Sequence, residues 1–76
     1  MNLLKSTLMV SYDKEADAAY ITIARSSNFK VKYTHEVDTP KDVKGDINLD
    51  FNSDNQLVGI EILDASKVLD GTIANF

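Results

Sequence analysis

The stretch Asp46-Ile47-Asn48-Leu49-Asp50-Phe51 alternates polar and apolar residues without exception. Successive side chains of a β-strand point to opposite faces, so this pattern buries one face and wets the other. No helix gathers residues of that spacing on one side. The segment 30–38 repeats the alternation, with Val31, Tyr33, His35 and Val37 on one face. Leu8, Val10 and Tyr12 form a third alternating set, and Val58, Ile60 and Ile62 another. Tyr20-Ile21-Thr22-Ile23-Ala24 is β-branched and aromatic, as strands prefer. Five strands are therefore expected.

Turn chemistry sets part of the register. Tyr12 opposite Ala19 and Val10 opposite Ile21 leave Lys14-Glu15-Ala16-Asp17 as a four-residue loop. Facing Phe51 with Val58, Leu49 with Ile60 and Ile47 with Ile62 leaves Asp54-Asn55 as a two-residue type I′ turn. Pro40 excludes the connection 39–45 from a central strand. Gly59, inside a strand, signals a bulge or a close backbone approach. Past the fifth strand, Asp64 is placed to cap a helix of about two turns starting at Ala65, with Gly71 as its left-handed end. Ile73 and Phe76 are then expected to pack back on the sheet or on a partner. These elements make a single domain over residues 1–76. Its class is α+β: a mainly antiparallel sheet of about five strands followed by a short C-terminal helix.

Composition narrows the function. Hydrophobic residues make up 43% and charged residues 26%, which places the chain among folded rather than disordered proteins. A net charge of −4 disfavours non-specific nucleic-acid binding, which runs on phosphate neutralisation by Lys and Arg. Lys30 and Lys32, with Arg25, Lys41 and Lys44 near them in sequence, read as complements to acidic neighbours or as guards of a sheet edge. Cysteine is absent, so disulfides, thiol nucleophiles and cysteine metal sites are excluded. Neither a secretory leader nor a membrane span is expected. Lys5 interrupts the N-terminal apolar stretch, and the longest near-apolar run is the seven-residue Leu57-Val58-Gly59-Ile60-Glu61-Ile62-Leu63. A cytoplasmic protein without cofactors is the expectation.

Five strands give a face of roughly 480 Å², while a two-turn helix covers on the order of 100 Å². Most of the apolar face would stay wet, and wet apolar patches of that size mark interfaces. A homodimer is expected.

Several residues invite chemistry. Asp50-Phe51-Asn52-Ser53-Asp54-Asn55 and onward to Glu61 carry the oxygen spacing of an EF-hand loop. Strand periodicity flanks that loop on both sides, however, where an EF-hand needs helices. Asp46, Asp50 and Glu61 share the outward face of one hairpin and are the expected partner-binding set of a non-enzymatic interaction module. The rival expectation is a small enzyme, or a ligand- or metal-binding protein, whose site forms at the dimer interface from Asp13, Asp17, Tyr20 and His35. Set against it, Asp13 and Asp17 read as caps of their own turn. His35, the only histidine, reads as half-buried between Tyr33 and Val37.

Two segments go beyond generic pattern. Tyr12-Asp13-Lys14-Glu15-Ala16-Asp17-Ala18-Ala19-Tyr20-Ile21 and Leu57-Val58-Gly59-Ile60-Glu61-Ile62-Leu63-Asp64-Ala65-Ser66 together resemble the small bacterial family called domain of unknown function 2283. Asp54-Asn55 stands where that family has Asp-Gly, and the segment 25–45 departs from its usual middle. The resemblance implies a compact β-rich domain and no known activity. It also implies small toxin-like proteins as frequent neighbours, hence an antitoxin-like role with a small basic partner.

Overall fold

The computed structural model describes residues 8–23 and 29–71. Among the described residues five strands, β1 (Met9–Asp13), β2 (Ala18–Thr22), β3 (Tyr33–Glu36), β4 (Asp46–Phe51) and β5 (Leu57–Leu63), precede one helix, α1 (Ala65–Val68). All neighbouring strands are antiparallel, in the order β1-β2-β5-β4-β3. The last strand in sequence is the central strand in space.

The registers run across the whole sheet as rungs. Val10, Ile21, Ile60, Leu49 and His35 form one, and Tyr12, Ala19, Ile62 and Ile47 the next on the same face. Between them on the opposite face lie Ser11, Tyr20, Glu61, Asn48 and Glu36. Period-two alternation has thus sorted the sheet into an apolar and a polar face.

α1 covers only one end of the apolar face. Ala65 joins Ala19 and Ile62 in the core, with Tyr12, Ile21, Ile60, Val68 and Leu69 packed around them. Among the described residues, Ala19, Val58, Ile62 and Ala65 are the buried hydrophobics. The exposed large hydrophobics among the described residues are Leu8, Met9 and Val10 at one edge, and Phe29, Val31 and Tyr33 at the other. The open apolar surface is thus greatest at the edges, where a strand has one neighbour instead of two. Tyr33 gains partial cover by stacking on Phe51, with ring centres 5.2 Å apart.

The first hairpin has the expected register and loop. Three other expectations are corrected. The β4–β5 connection is a three-residue loop, Ser53, Asp54 and Asn55, closed by a bond from Asn52 N to Gln56 O. Only Asn55 has positive φ there, at 59°, as in a type I turn followed by a left-handed residue. The buried Asn52 side chain dictates this loop: its Oδ1 accepts from Asp54 N at 2.9 Å and Gln56 N at 3.0 Å. Phe51 then pairs with Leu57 while Asp50 pairs with Gly59, so Val58 is the extra residue of a β-bulge.

α1 is one turn rather than two and ends at Leu69, whose extended backbone serves as its C-cap. Asp64 makes no side-chain cap, because its own backbone is left-handed at φ 54°. Gly71 is not left-handed, since no described glycine has positive φ. β3, finally, is four residues long, extended by single backbone bonds at Lys32 and Val37. His35 is exposed there and not half-buried, because an edge strand leaves its side chain flanked on one side only. Ala24, Arg25, Ile73 and Phe76 lie outside the described residues.

Candidate functional site

Two side-chain networks tie the sheet together, each centred on an aspartate. The first lies on the polar face. Tyr20 projects diagonally from β2 over the backbone of Gly59 in β5, and its hydroxyl donates to Asp50 Oδ2 in β4 at 2.7 Å. Thr34, opposite Asp50 on β3, donates to Oδ1 at 2.6 Å. Four strands are thereby bridged. Only glycine permits the crossing, since a Cβ at position 59 would fall on the hydroxyl and Cζ of Tyr20. Burial pushes the Tyr20 phenol up to about 12, helped by its bond to Asp50 and by the negative charges of Asp50 and Glu61.

The second network joins the first hairpin to the helix. Asp17 sits at the end of the β1–β2 turn with φ 50°. Its Oδ1 accepts from the Tyr12 hydroxyl at 2.8 Å and from Ser66 N at 3.0 Å, and its Oδ2 accepts from Ser66 Oγ at 2.7 Å. Its backbone carbonyl accepts from Ala65 N. Asp17 therefore caps α1 from across the chain, the task expected of Asp64. The Ser66 hydroxyl first, and the Tyr12 hydroxyl second, hold the Asp17 carboxyl below the usual aspartate value, while Asp17 in return raises the Tyr12 phenol.

The expected partner-binding set shares one face, as the register Asp50 with Gly59, Asn48 with Glu61 and Asp46 with Leu63 requires. Its members differ in availability. Asp46 is exposed, Glu61 is half-buried and accepts from Asn48 Nδ2 at 3.1 Å, and Asp50 is buried between Tyr20 and Thr34.

The rival set does not converge within one chain. Tyr20 lies on the polar face and His35 on the apolar one. Asp13 caps its own turn by accepting from Glu15 N and Ala16 N. Among the described residues no group of three or more His, Asp or Glu side chains could hold a metal ion. No helix there is long and apolar enough to cross a membrane.

An open hollow of about 370 Å³ is lined by Lys30, Val31, Lys32 and Ser53. It marks where the lysines flanking β3 meet the tip of the β4–β5 hairpin.

The model of the family described as "Protein of unknown function (DUF2283)" matches residues 9–66. The chain belongs to the DUF2283 family. No curated protein and no solved structure matches it. The DUF2283 match runs from the first residue of β1 to Ser66, so it contains both aspartate networks whole. The two motifs that carried the resemblance are the two segments joined by Asp17 and Ser66. Sequence reasoning singled out Tyr20 and Gly59 separately, one as a site residue and one as a close approach, named Asn52 and Ser66 only within longer motifs, and missed Thr34. The pairing register would have found Thr34, since it lies opposite Asp50.

Proposed function

We propose that the chain is a non-enzymatic protein-interaction module that works as a homodimer. The observation that carries this reading is its apolar surface. Leu8, Met9, Val10, Phe29, Val31 and Tyr33 are each more than 40% exposed, against four buried hydrophobic residues in the described core. Exposed apolar groups so numerous beside so small a core favour closure by another chain. The aspartates at the centre of both networks have their acceptor oxygens engaged by internal donors, which favours scaffold over chemistry.

The polar face, with Asp46 exposed and Glu61 half-buried beside it, suits a partner of opposite charge, given the net charge of −4. A small basic, toxin-like protein in the cytoplasm is such a partner. Light scattering on the purified chain tests the dimer: a mass of twice 8.4 kDa supports it, and a monomer at tens of micromolar overturns it. Recovery of a stoichiometric basic protein with the wild-type chain, lost on Asp46→Ser with Glu61→Ser, supports the polar face as its binding surface. Equal recovery by that variant removes the face from the proposal.

A further inference from the structure

The two edges of the sheet are not equivalent. β3 is four residues long and is preceded by Lys30 and Lys32, the type of charge that discourages strand addition. β1 is five residues long in unbroken register with β2. From Met9 to Tyr12 it contains no charge, no proline and no bulge, and Leu8 before it is uncharged too. Among the described residues it has a neighbouring strand on one side only. Leu8 is 46%, Met9 67% and Val10 46% exposed there.

Resting on the homodimer reading, we infer that a second copy of this chain docks on that edge, with the two β1 strands antiparallel and related by a two-fold axis at Ser11. A two-fold contact between like edges is isologous, so residues equally far on either side of the axis face each other. Val10 then meets Tyr12 of the second copy, a β-branched and aromatic pair of the kind that stabilises antiparallel sheets. Met9 meets Asp13, so no two like charges are opposed. The single ionised residue of β1 sits at its end, where the arrangement keeps the two copies of Asp13 four residues apart along the strands.

The pairing also has a consequence for the polar face. The axis is perpendicular to the joined sheet, so both copies of Asp46 and Glu61 lie on the same side. A basic partner would meet two sets of carboxylates on one surface.

The chain has no cysteine, so one introduced thiol reports on one contact. Ser11→Cys places two thiols opposite each other across the axis, within reach of a disulfide. Air oxidation is expected to give a disulfide-linked band at twice the chain mass on a non-reducing gel. Ser53→Cys, exposed at the far hairpin tip, is expected to remain monomeric on the same gel. A second pair guards against misfolding of the first variant: Met9→Cys mixed with Asp13→Cys should cross-link, while each alone should not.

A wild-type dimer in which neither Ser11→Cys nor the mixed pair cross-links overturns the β1 edge and leaves the homodimer standing. Equal cross-linking by Ser53→Cys also overturns the edge, because collision then explains the band. A monomeric wild-type chain overturns both readings.

Discussion

Asp17 accepts a hydrogen bond at 2.7 Å from the Ser66 hydroxyl, 49 residues further along the chain. The helix is only one turn long, and isolated helices of that length do not form in water. Its stability is therefore tertiary, supplied by Asp17 at its first turn and by Ala65 in the core.

This bond makes the stability of the fold depend on acid pH. The Asp17 carboxyl titrates below its ordinary value of 3.8 in the folded chain. A depressed pKa contributes stability above the unfolded value and loses it as pH falls through the folded value. Asp17→Asn is expected to be less stable than wild type at neutral pH, and to lose less of its remaining stability on acidification below about pH 5. Urea midpoints measured across that range check it, and parallel curves for the two proteins would contradict it.

At the alkaline end Tyr20 acts with the opposite sign. Its folded pKa is raised from 10.0 to about 12, so its contribution is complete below pH 10.0 and is lost as pH rises through about 12. Tyr20→Phe should remove that part of the alkaline transition. At neutral pH it should lower stability by about 1.5–3 kcal/mol, the range for a hydrogen bond to a charged group. Denaturant unfolding against pH measures both.

Gly59 and Tyr20 should behave as one unit. Gly59→Ala displaces the phenol ring from its path, with an expected loss of about 1–3 kcal/mol, as for overpacked sites. In a Tyr20→Ala background nothing crosses position 59, and the penalty should fall below about 0.5 kcal/mol. A double-mutant cycle decides it. Additive effects would mean that the crossing is not what requires glycine.

At the hairpin tip, Asn55 holds φ 59° and accepts from the Tyr33 hydroxyl at 3.2 Å. Asn55→Ala should destabilise by about 1–2 kcal/mol, the left-handed cost of an ordinary Cβ. Asn55→Gly should stay within a few tenths of wild type, because glycine adopts that conformation freely. Thermal melts of the two variants test the loop assignment directly.

His35, by contrast, is exposed on an edge strand, so His35→Ala should change stability by less than about 0.5 kcal/mol. A larger loss in melting would show that this side chain has a partner in solution.

How much of this was legible beforehand follows from the range of each interaction. The first hairpin was readable to the residue because alternation and a four-residue loop fix it locally, Tyr12 against Ala19 and Val10 against Ile21. The second was readable along most of its length but not at its tip, where the Asn52 side chain shapes the loop and Val58 absorbs the mismatch as a bulge. The helix start was right and its cap wrong, because no local pattern reveals an acceptor contributed by Asp17. Tyr20, Gly59 and Asp50 could be read only as separate oddities until the order β2-β5-β4 placed them side by side. Alternation assigns residues to faces; it does not order the strands.

That order has a bearing on synthesis. β5 is made after the other four strands, yet it lies between β2 and β4. Until Leu63 has left the ribosome, the sheet exists as two separate strand pairs, and isolated pairs are marginal in water. A chain ending before β5 would carry two hairpins with no strand to join them, with Ile21 and Leu49 both uncovered. Joining of the two pairs is therefore a late and single event in the making of this sheet, and it falls to β5 alone.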